Sequence, residues 1–338
     1  MRRRTVLPWA GFWLGILLSL EAVAATGRLT GGVRYQIPDW FKSSFLEFSE
    51  DAAEAGAAGR HVMLFLHLDE CPYCEAVLRE SLVESDYVPW VRERFDAIAI
   101  NVRGSREVAF TEDLTVTEKE LAEHLGVRQT PTVIFLDGEN RQVMRVDGYR
   151  TPVEFKRVLD YVDARAYLEM DLASYVARHA QGTDYTLRPH PAFAESRDLA
   201  AVEGPLVVLF EDAWCDACDL LHDTLLADAE VRALLDAMTV VRLDAESRRE
   251  LVDPSGRATT PRDWVRELGL HARPAFVLFA DGREQVRIHG VLRHWHLTTA
   301  LRYVAEGQHR RYATLRDYSR ALRQQQLDAG EVVDLGRQ

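Results

Sequence analysis

The sequence predicts an α/β protein of two tandem domains, each a mixed central sheet with helices on both faces. Three observations carry this expectation. The chain repeats with a period of about 143 residues: Cys71 maps to Cys215, Pro131 to Pro274, "LGVRQTP" from Leu125 to "LGLHARP" from Leu268, and "FLDG" at Phe135 to "FADG" at Phe279. Each copy holds a short unbroken apolar run, Val62 to Leu66 and Leu206 to Phe210, too continuous for a strand with one wet face and suited to a sheet centre. Each run leads into a C-x-x-C and then an amphipathic stretch, which puts a helix directly after the strand.

In order, each unit is expected to open with a helix. In the first unit it is "DWFKSSFLEFSEDAAEAG", with Phe41, Phe45, Leu46 and Phe48 on one side; in the second it is the shorter "AFAESRDLAAV". The buried strand follows, then the cysteine-led helices "CEAVLRESLV" and "CDLLHDTLLA". A helix capped by Asp86, with Val88, Val91 and Phe95 on one face, leads to a second buried strand, "AIAINV"; its counterparts are "DAEVRALLDA" and "MTVVRL". The helices "EKELAEHLG" and "RDWVRELG" end at glycines suited to a left-handed C-cap. After each proline come two strands joined at "DGEN" or "DGRE", where Asp-Gly marks a hairpin turn, and then a closing helix. Tyr175 and Tyr318 repeat in the extension beyond it.

The first domain is assigned to 26–180, a linker to 181–191 with Gly182, Pro189 and Pro191, and the second domain to 192–338. Residues 1–25 are expected to be a signal peptide, because Arg2, Arg3 and Arg4 precede an apolar run from Val6 to Leu20 and small residues at Ala22 and Ala24. That run is shorter than the roughly 20 residues a spanning helix needs, so the membrane is met only through the leader and an exported, periplasmic product is expected. Leader removal moves the formal charge from -12 to about -14. An acidic surface without clustered Lys and Arg argues against nucleic-acid binding.

All four cysteines lie in the C-x-x-C pairs, leaving none for a structural disulfide framework. A thiol attacks as its thiolate, and a helix N-terminus favours that charge, so Cys71 and Cys215 are expected to be the nucleophiles. One helical turn on, Cys74 and Cys218 come back beneath them, close enough to form Cys71-Cys74 and Cys215-Cys218 disulfides; no cofactor beyond these pairs and no metal are expected. Four thiolates could instead hold a structural zinc, but the pairs sit 144 positions apart in equivalent places of a repeated unit. His67 and His222 remain without a role.

Strand, C-x-x-C at a helix start, crossover helix, X-Pro opening a strand, hairpin and closing helix together resemble the thioredoxin fold. In the first unit, "CPYC", the insertion "INVRGSREVAFTEDLTVTEKELAEHLGV" and "TPTVIFLDGENRQVMRVDGY" resemble the SoxW-type periplasmic thioredoxins of sulfur-oxidising bacteria, whereas the second unit resembles thioredoxins in general. The resemblance implies cis peptide bonds before Pro131 and Pro274. It also implies docking grooves bordered by Pro72, Tyr73 and Thr130 at one site and by Trp214 and Arg273 at the other. The implied activity is thiol:disulfide exchange carried by the cysteines themselves; the implied partners are exported protein thiols and disulfides and a membrane thiol electron donor. A disulfide isomerase or oxidase, or a metal- or peptide-binding protein on the same fold, are the alternatives.

The two sites depart from the family and from each other. Phe65 and Leu209 stand where thioredoxins commonly bury an aspartate, and Glu211 is the candidate for proton transfer, with a solvated loop charge as its alternative. Trp214 keeps the aromatic residue before the cysteine, whereas the first unit has Glu70. Asp216 puts a negative charge beside Cys215, which predicts that the second pair is the stronger reductant.

Overall fold

The computed structural model of the protein describes residues 27–179 and 185–337. The expected leader and residues 181–184 of the expected linker lie outside them. Among the described residues no helix is long and apolar enough to cross a membrane.

After a short strand β1 (Arg28–Thr30), the first domain runs α1 (Phe48–Ala57), β2 (His61–His67), α2 (Pro72–Leu82), α3 (Val88–Arg94) and β3 (Phe95–Asn101). A hairpin of β4 (Glu107–Thr111) and β5 (Leu114–Thr117) leads to α4 (Glu118–His124), β6 (Thr132–Leu136), β7 (Gln142–Asp147), α5 (Pro152–Asp163) and α6 (Leu172–His179). Its sheet has the order β3-β2-β6-β7, with β2 and β3 parallel and the other pairings antiparallel. Every residue of β2 is buried, and alternate side chains serve two cores: Met63 and Phe65 on one face, Val62, Leu64 and Leu66 on the other. Two-faced burial is what an unbroken apolar strand requires, and each such large side chain adds about 1.5–3 kcal/mol.

The second domain repeats this with β8 (Leu206–Glu211), α7 (Cys218–Leu220), α8 (Ala229–Leu235), β9 (Thr239–Asp244), the small hairpin β10 (Leu251–Val252) and β11 (Ala258–Thr259), α9 (Pro261–Glu267), β12 (Ala275–Ala280), β13 (Arg283–His289), α10 (His294–Ala305) and α11 (Leu315–Asp328). The sheet order is β13-β12-β8-β9. The Tyr175 and Tyr318 repeat is structural: the rings pack on Tyr161 and Tyr303, at 5.5 Å and 5.7 Å between centroids. Gly126 and Gly269 take φ of +62° and +63° just past α4 and α9, the left-handed position that ends each helix.

Both opening helices need correction. Residues 39–47 are not helical: the Lys42 N–H donates to Ala97, the Leu46 N–H to the Ser44 hydroxyl, and Phe45 points into solvent. In the second unit the chain over 192–202 gives its backbone to neighbouring strands, Ala194 to Val240 and Leu199 to Val252, and forms no helix. Asp86 does not cap α3, whose N-cap is Tyr87 without a side-chain bond, and Phe95 begins β3; in the second unit Asp228 does cap α8, accepting from Glu230 and Val231 N–H.

The two domains are tied together at their far ends. β1 pairs in parallel with β14 (Val332–Asp334), so the first described residues join the last ones. The stretch from Tyr185 is no free linker: Tyr185 is buried, and Arg188 pairs with Asp219 at 3.0 Å and Asp223 at 2.6 Å.

Candidate active sites

At the first site β2 delivers the chain to Cys71, which is the N-cap of α2. Its sulfur accepts the Cys74 N–H at 3.2 Å and the Thr130 hydroxyl at 3.4 Å. Thr130 precedes Pro131 through a cis bond, and Arg273 precedes Pro274 in the same way. The hydrogen bond from Cys74, opposed by burial and reinforced by Thr130 and the helix N–H groups, pulls the Cys71 thiol down to about 7. Burial and the neighbouring Cys71 push the Cys74 thiol up. The pair is therefore polarised, with Cys71 the readily ionised thiol and Cys74 the one that keeps its proton. Both are free thiols, whereas Cys215 and Cys218 are joined as a disulfide.

The second site departs from a helix-capped cysteine. Asp212 accepts the Trp214 N–H at 2.9 Å and pairs with Arg273 at 2.8 Å, so the chain turns before Cys215 and α7 begins only at Cys218. The sequence placed Cys215 at or just before a helix start; it lies three residues ahead of the first helical residue, Cys218. After α7 the helix widens into a π turn over Leu221–Leu225, with Leu226 N–H reaching Leu221. Such turns redirect side chains at functional sites. Here His222 is buried against Glu211, Nε2 to Oε1 at 2.8 Å.

Glu211 is 0% exposed, which removes the solvated-loop alternative. It ends β8 four residues before Cys215, the position His67 holds before Cys71. His67 is itself buried, its basicity lowered by burial, and its Nδ1 lies 2.9 Å from the Tyr35 hydroxyl, which donates to the Leu68 carbonyl at 2.6 Å. Burial and the two cysteines beside it push the Tyr35 phenol up. At the second site Tyr185 packs directly on Cys215 and Cys218, its phenol pushed up to about 12 by burial and by the Glu211 charge. Sequence reasoning missed both tyrosines. They stand 36 residues before Cys71 and 30 before Cys215, so the repeat does not align them.

The groove residues are placed unevenly. Tyr73 does not face open solvent: its hydroxyl accepts the Arg293 N–H at 2.6 Å and lies 3.2 Å from His296 Nδ1, both in the second domain. Arg293 also donates to the Pro72 carbonyl at 3.3 Å. Trp214 gives its carbonyl to Arg157 of the first domain at 3.0 Å. Arg273 is buried and folded back on Asp212, so its side chain does not line an open groove, while Thr130 faces the Cys71 sulfur. Asp216 is not a bare charge either: its carboxylate lies 2.8 Å from Arg157, and burial first of all raises its affinity for a proton. The expected reason for a stronger reductant at the second site is thereby removed.

A family model for a thioredoxin-like domain matches residues 48–163 and again 195–305. No curated protein matches the sequence. Among solved structures, a thioredoxin-fold protein from Helicobacter pylori is 19% identical, the match covering 40% of this chain and 97% of that one at a TM-score of 0.33. A thioredoxin from Thermus thermophilus is 24% identical, with 46% and 99% covered and a TM-score of 0.28. The C-terminal domain of DsbD from Neisseria meningitidis, in its reduced form, is 18% identical, with 30% and 82% covered and a TM-score of 0.23.

Proposed function

The chain belongs to the thioredoxin-like family, one family domain in each half, and from that premise we propose that it is an exported thiol:disulfide oxidoreductase working in the reducing direction. The observation that carries this is the polarised pair at the first site, with Cys71 drawn down to about 7 above an inner Cys74 that holds its proton. A thiolate at neutral pH beside a protonated partner is what disulfide exchange requires.

In the proposed reaction the Cys71 thiolate attacks one sulfur of a partner disulfide. That bond breaks, and the partner's other sulfur leaves as a thiolate and takes a proton from water. Cys74 then gives up its proton and attacks the Cys71 sulfur, the mixed disulfide breaks, and the second partner thiol is released. Two electrons have passed to the partner, and Cys71 and Cys74 are left joined. A membrane thiol donor returns two electrons, and exported proteins with disulfides, including those of sulfur oxidation or cytochrome c maturation, are the targets. At the second site Glu211, held by His222, receives the proton of Cys218 in the resolving step.

The test is trapping. Cys74→Ser and Cys218→Ser, expressed separately in the exporting cell, should each hold a partner as a reductant-sensitive mixed disulfide. If neither does, and both wild-type pairs resist reduction and oxidation in vitro, the proposal fails.

A further inference from the structure

The residues beside each cysteine pair are gripped by an arginine of the other domain's closing helix, from a different position of that helix in each case. At the first site Arg293, the N-cap of α10, binds the Pro72 carbonyl through its side chain and the Tyr73 hydroxyl through its backbone, with its guanidinium 5.4 Å from the Tyr73 ring centre. At the second site Arg157, in α5, binds the Trp214 carbonyl at 3.0 Å and the Asp216 carboxylate at 2.8 Å. α5 and α10 are the equivalent closing helices of the two units. Between them the loops after β7 and β13 touch through glycine: a Cβ on Gly290 would stand 3.1 Å from the Tyr149 carbonyl oxygen, and one on Gly148 3.6 Å from that of His289.

In this arrangement Cys71 is 7% and Cys215 1% exposed; each sulfur is packed within its own half of the chain, Cys215 by Tyr185, and the other domain holds the residues that flank it. An attacking sulfur must come in line with the S–S bond of its target, so a polypeptide disulfide needs the space that these contacts fill. The interface is also built to separate. It carries the charged groups Arg150, Glu154, Asp212 and Arg273, and a cavity of about 70 Å³ lined by Arg150, Arg157, Trp214 and Arg273 among others. Charged interfaces between domains of one chain resemble transient ones, in which relative motion is the default. The parallel pairing of β1 with β14 spans only three residues on each side.

We propose that each domain occupies the other's polypeptide-docking face, with Arg157 and Arg293 as latches, and that polypeptide disulfides reach Cys71 or Cys215 only when the domains part. The substrate in this statement rests on the oxidoreductase reading; the occlusion does not. Because the domains move as bodies, releasing either latch exposes both sites.

The experiment compares alkylation of the fully reduced full-length chain by N-ethylmaleimide and by a polyethylene-glycol maleimide, with peptide mapping to separate Cys71 from Cys215. The ratio of bulky to small reagent rates cancels any change in thiol reactivity. In Arg157→Ala and in Arg293→Ala the ratio should rise about tenfold at both cysteines, the change that follows from losing about 1.4 kcal/mol of closure. A rise confined to the neighbouring cysteine, or no rise in either variant, overturns the proposal. Circular dichroism melting checks folding, and Tyr73→Phe, which removes the acceptor for the Arg293 N–H, replaces a variant that does not fold. Insulin reduction separates the two readings. If neither wild type nor the latch variants reduce insulin while the ratios rise, the oxidoreductase reading fails and occlusion stands; if insulin is reduced equally by wild type and latch variants, occlusion fails and the oxidoreductase reading stands.

Discussion

Asp216 sits between Cys215 and Cys218 in the second domain, yet its carboxylate is balanced by Arg157 of the first, 2.8 Å away. The charge felt by the second cysteine pair is therefore set by how the domains meet. Both side chains are mostly buried, at 15% and 17% exposure, so water screens this pair weakly.

Removing Arg157 should change the second site's potential. In Arg157→Gln the Asp216 charge is unbalanced, the Cys215 thiolate is disfavoured and the disulfide gains, so the potential should fall by about 30 mV, equivalent to about 1.4 kcal/mol. Adding Asp216→Asn should return it close to wild type. Glutathione redox titration of the second pair, with Cys71 and Cys74 replaced by serine, measures this; an unchanged potential in Arg157→Gln would show that the ion pair does not tune the site.

At the first site, reactivity should follow the Cys71 thiol. With that thiol at about 7, alkylation of Cys71 by iodoacetamide should fall as pH drops below about 7 and level off above it, the thiolate being the reactive form. Thr130→Val removes one hydrogen bond to the sulfur and should move the midpoint upward. A midpoint near that of a free cysteine, about 8.5, in wild type would contradict the assignment.

Glu211→Gln should slow the second step of exchange at the second site and leave the first step intact. Attack by Cys215 needs no proton from Cys218, whereas resolution does, and loss of a positioned proton acceptor costs about 10²-fold or more. Stopped-flow mixing of the reduced Cys71→Ser/Cys74→Ser chain with a small aromatic disulfide separates the phases. Equal slowing of both would assign Glu211 to structure alone.

His296 reports on closure. Burial first, then Arg293 and Arg323, hold its imidazole down to about 4. Between about 6.5 and 4 the unfolded chain takes up a proton that the closed form does not, so this group's effect on stability worsens as pH falls through that window. NMR titration should find His296 near 4 in wild type and shifted back toward 6.5 in Arg293→Ala, where the domains part. The same low value in both would mean that His296 is buried independently of closure.

Much of this was legible in the residues. An apolar run with no polar break can only be satisfied between two packed faces, and β2 and β8 are so placed. Asp-Gly before a second strand and Gly after a helix impose their own backbone geometry, and both hairpins and both helix ends follow. The first opening helix formed only over Phe48–Ala57 and the second not at all, because apolar spacing is compatible with a helix but the Lys42, Ala194 and Leu199 N–H groups found strand carbonyls and the Leu46 N–H the Ser44 hydroxyl. Glu211 looked like a loop charge because the partner that lets it be buried, His222, is turned inward by a π turn that no spacing rule announces.

The duplicated fold, the two cysteine pairs and the cysteine leading each were determined by the sequence alone, since periodicity, turn residues and a two-residue spacer act within a few residues of chain. Which charges surround those cysteines was decided only in the tertiary structure. Tyr73 meets Arg293, and Asp216 meets Arg157, across 220 and 59 positions of chain. Coulomb and hydrogen-bond energies depend on distance in space and on exclusion of water, and neither is written in the local sequence.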